Sequence, residues 1–583
     1  MKSFYHAKTL LVIILGSLLL SSCSNDNNNE DVVLNEDVVL KETIIASLGA
    51  EISDDSTSPA ITLNIPAGAL SEDAELEIIR VSKAVNGVHS DAFRVKLSAV
   101  SGGSVTLSQT MKVALRSNTA PTHPELAELV KQANTTPQRI ASFYRAATQN
   151  VVARSKTVDE VYQVKFHTLQ HTSGAAVDSG KEVFMSETFS NENFFGGVMG
   201  LHEVLNGVSP ADAVALGVQV DLTKVPQGIV DVMIGSDLDA KDAALQNPDI
   251  TKMLIKAGAV IGVKGVYATS DPADDTMISA GLTCALCHVN VTPTEFEMNA
   301  GTVALPIGVP NIDGIPNNNM DSGAILAFTP FAVGAGQATV DFLNSWGPGR
   351  FDVRSLPDNA LDDGVANPTA YPPIWNFVDL EEQGYTIGWD GLLKSSDAGN
   401  GLASISEAVY DLVMHANGAF AMPNGTLPPE LSITPPQSLV DLLVAAEAND
   451  PGNDITMQKL LDIQHFMQSI TSPAPGAFDA ASAESGFDLF YGKANCSACH
   501  SSADLTGPGF FKVTATEPAG GLAGGIHVPS LRGISSTAPY FHDGSAAELI
   551  DVINQLIAKT SVTGIPALTE TEKADLVEYL KSL

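Results

Sequence analysis

Two five-residue stretches of this 583-residue chain carry chemistry: Cys-Ala-Leu-Cys-His at 284–288 and Cys-Ser-Ala-Cys-His at 496–500. Two thiols three positions apart with a histidine immediately after form C-x-x-C-H, the spacing at which haem is attached covalently. The thiols bond to the haem vinyl groups, and the adjacent histidine, His288 or His500, takes one axial face of the iron. A second ligand on the other face makes an electron carrier. An open face makes a place for peroxide or oxygen to react. The competing reading of Cys/His clusters is zinc, which wants four ligands in one knot. Here each cluster offers three adjacent residues about 200 positions from the other. The chain has five cysteines, and these two units use Cys284, Cys287, Cys496 and Cys499, leaving only Cys23 and no pair for a disulfide.

Cys23 lies at the end of an export signal. Lys2 and Lys8 precede the apolar run LLVIILGSLLL, and the small residues of LSSC follow at 20–23. This is the pattern of a secretory signal rather than a membrane span. LSSC resembles a bacterial lipobox, with cleavage before Cys23 and lipidation of its thiol. Ser24 in the next position resembles sorting to the outer membrane. The expectation is an exported lipoprotein, with residues 1–23 as its signal peptide and the lipid on Cys23 anchoring it to the outer membrane at the periplasmic or cell-surface face. With 31 Lys+Arg against 67 Asp+Glu the formal charge is −36, which argues against nucleic acid as a partner.

The elements that must position the two attachment sites follow. Residues 24–41 read as an acidic tether containing the direct repeat NEDVVL. Residues 42–175 read as an all-β sandwich. Ile61, Leu63 and Ile65 alternate with polar neighbours, and AELEI, FRVKL, MKVAL and YQVKF share the period of two. The isolated His89, His123, His167 and His171 read as surface polarity, and the module as a spacer or docking element. From Gly180 the texture turns helical with long Gly/Pro/Asn loops. A helix before Cys496, with Gly486, Leu489 and Phe490 at packing spacing, and a final helix opened by a Thr569–Glu572 capping box predict a crossing pair beside the second site. The fold class is therefore multidomain: the sandwich, then two mainly α cytochrome c-type haem domains with long loops, at 180–475 and 476–583.

Between the last helices lies VPSLRGISSTAPYFHDGSAAELIDVI, residues 528–553. With two C-x-x-C-H units, this resembles the dihaem cytochrome c peroxidase and MauG superfamily. The first haem domain, through ETFSNENFFGGVMGLH, PNNNMDSGAI, SWGPGRFD and VMHANG, resembles a long-chain branch distantly like the rubber oxygenases. LNIPAGALSEDAELEI in the sandwich resembles ZU5-like modules. The resemblance implies two covalently bound haem c groups, one storing electrons and one reacting. It also implies a tryptophan relay between them, for which Trp346 is the candidate, with a packing role as the alternative. It implies a calcium ion near the backbone of Thr537 and Pro539, to which Asn318 or Asn311 would add a side-chain oxygen.

The distal ligands stay open. No Met follows Cys499, so the common His/Met pairing is in doubt at the second site. His542, 42 positions after His500, is favoured, with His527 second. No His occurs between His288 and His415. Met298 and Met320 are the nearest thioethers and read as packing residues. His202 and His415 are candidates for a distal ligand or an acid/base, and His465 reads as structural. The reading is an exported dihaem c-type oxidoreductase, peroxidase-like, taking hydrogen peroxide or oxygen. Its partner would be a periplasmic or surface cytochrome or cupredoxin. The alternatives are an electron relay with both irons six-coordinate and a rubber-oxygenase-like dioxygenase, for which LAFTPFAVGAG at 326–336 would line an apolar channel.

Overall fold

The computed structural model describes residues 36–583 apart from 55–56, 82–87, 133–136, 272–274, 353–367, 385–387, 390–408, 410–454 and 514–524. Cys23, the signal segment and His415 lie outside the described residues. Among the described residues no helix is long and apolar enough to cross a membrane.

The N-terminal strands form two antiparallel sheets. One is ordered β1 (Glu36–Ile44), β4 (Ala74–Val81), β5 (Ala92–Ala99), β11 (Asp159–Phe166), β7 (Ala127–Gln132), β8 (Gln138–Ile140). The other runs β2 (Ala50–Ser53), β3 (Ile61–Ile65), β6 (Met111–Arg116), β10 (Asn150–Ser155), β9 (Ser142–Arg145). The alternating residues Ile61, Leu63, Ile65, Leu76, Ile78, Phe93 and Val95 all point into one core between the sheets, as period-two patterning requires. Strand β1 starts inside the segment read as a tether, because the second NEDVVL copy pairs antiparallel with β4, Leu40 opposite Ile78.

The five-stranded sheet is buried on both faces. Its outer face puts Ala114, Phe143 and Val152 against Phe487, Phe490 and Tyr579 of the C-terminal helices. This explains the unbroken burial of Val113, Ala114 and Leu115 and of Val151, Val152 and Ala153, since a strand covered on both sides loses its alternation. The rim is charged: Lys112 and Arg154 reach Asp488 at 2.6 and 2.8 Å, and Arg145 pairs with Glu484.

The helical region contains α1 (Ala175–Ser186), α2 (Leu201–Gly207), α3 (Pro210–Ala215), α4 (Gln227–Ile234), α5 (Leu238–Leu245) and α6 (Pro248–Lys256). The hairpin β12 (Val263–Tyr267) and β13 (Met277–Leu282) leads into the short attachment helix α7 (Ala285–His288). After it come α8 (Ser322–Ala327), α9 (Pro330–Ala335), α10 (Gln337–Asn344), α11 (Phe377–Glu382) and α12 (Met457–Met467). The last are α13 (Ala480–Tyr491), α14 (Leu549–Ala558) and α15 (Glu570–Lys581).

One helix crossing occurs twice. Helix α13 meets α15 at Gly486, where a Cβ would overlap the Asp575 carbonyl and crowd Tyr579. Helix α1 meets α12 at Gly180, where a Cβ would overlap the Asp462 carbonyl and crowd Phe466. The capping box of α15 forms, with Thr569 and Glu572 each bonding the other's backbone N–H. Because the blocking atoms at Gly486 are backbone, Gly486→Val should cost about 3 kcal/mol or more, the upper end of overpacking. Urea unfolding of the variant checks this, and a loss under 1 kcal/mol would show that the helices can part cheaply.

Candidate haem-attachment sites

At the second site Asn495 adopts a left-handed conformation (φ 53°), which turns the chain into the 3-10 segment Cys496–Ala498. His500 follows, and its Nδ1 lies 2.6 Å from the Leu505 carbonyl. That hydrogen bond makes Nδ1 the donor and leaves Nε2 for iron. Leu505 is itself left-handed at φ 56°, a conformation a leucine holds only when its surroundings impose it, at a cost on the order of 1–3 kcal/mol. Burial pushes His500 down to about 4, against the opposing effect of the Leu505 and Pro529 carbonyls. The ring is thus neutral at pH 7, the form that binds metal. A Cβ at Gly507 would overlap the Cys499 carbonyl, so the strand Gly507–Phe511 lies hard against the attachment segment.

At the first site Gly262 (φ 79°) takes the same part, its absent Cβ leaving room for the backbone of Leu286. Thr283 donates its N–H to the Gly262 carbonyl at 3.0 Å. Asn317 holds the other end of α7, its N–H on the Cys287 carbonyl at 2.7 Å and its side-chain amide on Leu286 at 3.3 Å. Burial pushes His288 down to about 4, but its buried Nδ1 has no hydrogen-bond partner among the described residues. The two proximal histidines therefore differ: one is oriented by a carbonyl and the other is not.

All four thiols are free. Burial pushes Cys284 and Cys496 up to about 12 and Cys287 up to about 11, so each is a neutral thiol. Cys284, Cys287 and Cys496 each edge an apolar cluster. Among the described residues no three His, Cys, Asp or Glu side chains converge as a metal knot would. Neutral thiols against apolar walls, with one imidazole nitrogen left for a metal, fit a covalently bound haem and do not fit zinc.

Residues 483–583 match the family model described as cytochrome c. The C-terminal region bears a cytochrome c domain. The likeness to curated proteins is distant. The chain is 31% identical over 122 residues to methylamine utilization protein MauG of Methylorubrum extorquens, covering 18% of this chain and 35% of that one. It is 34% identical over 124 residues to MauG of Methylophilus methylotrophus, covering 18% and 36%. It is 45% identical over 56 residues to hydrazine synthase subunit gamma of Kuenenia stuttgartiensis, covering 9% and 16%. The chain thus spans 36% or less of the length of these curated relatives. A solved hydrazine synthase from Kuenenia stuttgartiensis overlaps 22% of this chain and 56% of that one, at 23% identity and a TM-score of 0.18. The domain match and the MauG likeness support a cytochrome c/MauG-like superfamily, covalently bound haem c and a haem-based oxidoreductase or electron-transfer role.

The cytochrome c domain touches the first site at two places. Trp375 packs in the cluster that holds Cys284 and Ala285, and its indole N–H donates to the Arg532 carbonyl at 3.2 Å. Gly533 (φ 71°) lets the indole approach. On the other side, Tyr371 contacts the Cys287 thiol, and its hydroxyl lies 3.0 Å from Ser322 Oγ. The preceding Ala370 donates its N–H to the His542 carbonyl at 2.7 Å. Trp389 donates to the Ala370 carbonyl at 3.1 Å and accepts from the His527 N–H at 2.9 Å.

Trp346 is not at this junction. It is buried among Ala327, Ala332 and Leu343, and Phe351, which packs on that cluster, stacks its ring on Tyr371 at 5.9 Å. Nothing in the spacing of SWGPGRFD separates it from Trp375; the signal lies in the long-range partner Arg532. His542 is 2% exposed and follows Phe541, a left-handed residue (φ 65°). His527 sits on the strand Ile526–Val528, two residues before Pro529, close enough to His500 to act on it electrostatically. Asn318 donates to the Ala538 carbonyl, between Thr537 and Pro539, whereas Asn311 bonds Asp313 elsewhere.

Met320 and Met298 are buried packing residues in separate clusters. His202, on α2, has a buried Nδ1 with no partner, and its helix lies along β13 and α6. His465 contributes its carbonyl to Thr172. The stretch 326–336 turns Phe328 and Val333 to solvent, at 61% and 63% exposure, and buries Ala327 and Ala332.

The sequence reading of His167 as surface polarity does not hold. Its Nε2 lies 2.8 Å from Asp379 Oδ1, and Asp379 is 2% exposed. This pair belongs to a buried network binding the sandwich to the cytochrome c domain. Arg139 reaches Glu128 at 2.8 Å and Asp504 at 3.0 Å, and Arg532 reaches the Ala503 carbonyl at 2.9 Å and Glu128 at 3.4 Å. Burial pushes the Asp504 carboxyl up, but Arg139 and Arg532 outweigh it and hold the group below the usual carboxylate range. His89 stacks on Phe166 at 3.9 Å, and His123 pairs with Glu125 at 3.2 Å.

Proposed function

We propose that the chain is an exported dihaem c-type oxidoreductase of peroxidase-like type. The observation that supports it is the unequal pair of proximal histidines joined through Trp375. Bound at both sites, haem iron supplies one-electron redox chemistry and, where a face is open, reaction with hydrogen peroxide or oxygen. His500, oriented by Leu505, and His542, presented by the constrained Phe541, would hold the haem of the second site, which would supply electron storage. His527 is the weaker candidate. His288, without an orienting acceptor, is the proximal residue of the reactive site, and His202 or His415 serves there as distal acid/base.

Trp375, rather than Trp346, lies on the path between the sites, since its indole joins the Cys284 cluster to the backbone that follows Pro529. The carbonyls of Thr537 and Pro539 with Asn318 form the candidate calcium site, in keeping with oxygen ligands for a hard cation. Cys23 carries the lipid that holds the protein to the outer membrane. The electron partner is a periplasmic or surface cytochrome or cupredoxin.

Electron paramagnetic resonance and absorption spectra of the oxidised and half-reduced holoprotein test this. One high-spin and one low-spin signal are expected, and Trp375→Phe should slow peroxide-dependent oxidation of a reduced cytochrome while leaving both signals intact. Two low-spin signals in both states would overturn the peroxidase reading and favour a relay.

A further inference from the structure

The loop that orients His500 is held from outside its own domain. Residues 501–506 fold back on themselves, with the Ser502 N–H on the Thr506 carbonyl at 3.0 Å and the Thr506 N–H on Ser502 Oγ at 3.1 Å. The turn brings the Leu505 carbonyl to His500 Nδ1. It does so with Leu505 left-handed, a conformation from which a leucine relaxes unless its flanks are fixed. A small rotation there would swing the carbonyl off the ring.

Three clamps fix the flank before Leu505. Arg532 Nη2 donates to the Ala503 carbonyl at 2.9 Å, and Ser530 Oγ donates to the Asp504 carbonyl at 2.8 Å. Both belong to the cytochrome c domain. The third clamp comes from the sandwich. Arg139, on β8, grips the buried Asp504 carboxylate with two parallel bonds, Nη1 to Oδ2 at 3.0 Å and Nη2 to Oδ1 at 3.1 Å. Another edge of the same guanidinium grips Glu128 of β7, Nε to Oε2 at 2.9 Å and Nη2 to Oε1 at 2.8 Å. A planar fork held between two carboxylates has one orientation, and Asp504 takes its own from it. Gln383 adds a further donor to Asp504 Oδ2. The first site differs. Among the described residues, the clusters around Cys284 and Cys287 contain no sandwich residue, whereas the cluster around Cys496 includes Ala114, Phe143 and Val152.

We infer that the sandwich sets the reduction potential of the second haem, with Arg139 as a positioning residue that acts through Asp504 and the Leu505 carbonyl on His500. This rests on the reading of His500 as the proximal residue of that haem. An acceptor on Nδ1 raises the basicity of an imidazole ligand and so favours the oxidised iron. Slackening that hydrogen bond favours the reduced one.

Potentiometric titration of the full-length holoprotein, followed by absorption and electron paramagnetic resonance, tests this. The Cys284→Ser/Cys287→Ser chain, with its single haem at 496–500, assigns the signals. Arg139→Lys keeps the charge but not the fork, so the Coulomb effect on the iron stays while the clamp goes. It should shift the second haem about fivefold toward the reduced form, as one neutral hydrogen bond warrants, or about 40 mV at 59 mV per tenfold. The g-values of that haem should change, and the first haem should not move. Gln383→Met, an uncharged change at an exposed residue, should shift the same haem in the same direction by about twofold, and it carries the test should Arg139→Lys not fold. Arg145→Lys, which slackens the pairing with Glu484 at the rim of the same interface, should leave both potentials where they are. An unmoved second haem in the folded variants would overturn the inference and leave the dihaem reading standing. So would equal shifts of both haems, or an equal shift in Arg145→Lys. A wild-type chain with no haem at 496–500 would overturn both.

Discussion

Replacing Cys496 and Cys499 together with serine is expected to leave a protein that keeps one haem through denaturation, attached at 284–288. The reciprocal change at Cys284 and Cys287 should leave the other, and the fourfold change none. Each thiol is neutral because burial raises it, and addition of S–H across a vinyl group leaves a neutral thioether where the thiol stood. Serine removes that bond while changing the volume little. The expected loss is larger than one cofactor. The walls around Cys496 are those of the cluster that also joins the sandwich to α13 and α15, and an emptied apolar site there forfeits contacts on both sides. The second-site variant should therefore unfold at lower denaturant than the first-site variant. Intact-mass measurement of denatured protein counts the haems, and a wild-type chain carrying a single haem would remove the dihaem reading.

Arg532→Met should destabilise the protein by about 3–5 kcal/mol, the range for breaking a buried ion pair from one side. Arg532 is 4% exposed and lies between Glu128 and Asp504, both about as buried. Its removal leaves two carboxylates with Arg139 alone. Asp504 is held below its ordinary value in the folded state, so its contribution is fully present above the unfolded carboxylate value of roughly 4. It is lost as pH falls through the depressed folded value. In the variant that depression shrinks, so the stability this group loses in acid should be smaller and its loss complete at a higher pH than in the wild type. Urea unfolding at neutral pH and across the acid range measures both effects. A loss under about 1 kcal/mol, the level of a surface pair, would mean that the sandwich is held by the Phe143–Phe487 packing alone. The same network gives the sandwich a defined seat on the cytochrome c domain, by way of Arg139, Glu128 and His167, rather than leaving it a spacer on a tether.

What was legible in the sequence is what is local. A C-x-x-C-H unit is five contiguous residues, so its chemistry can be read without a fold. The alternation of Ile61, Leu63 and Ile65 and the Thr569–Glu572 capping box likewise lie within one element, and each reports the backbone geometry it sits in. Gly486 was found because its neighbours in the helix repeat at packing spacing. Gly180 does the same for α1 and was missed, because the Phe466 and Asp462 that it meets lie far along the chain. The unbroken apolar runs in β6 and β10 were a signal of a second covered face that alternation rules pass over.

The amino-acid sequence by itself determined the haem-attachment chemistry, the β character of the N-terminal module and the crossing helices at the C-terminus. Only the tertiary structure decided which tryptophan hydrogen-bonds the backbone of the cytochrome c domain, which of His288 and His500 has a carbonyl on its Nδ1, and that His167 and Arg532 pair with buried carboxylates. The physical reason is that these depend on partners hundreds of residues apart, such as His167 with Asp379 or Arg139 with Asp504. A burial, an ion pair or a hydrogen-bond acceptor of that kind exists only once the chain has closed the distance.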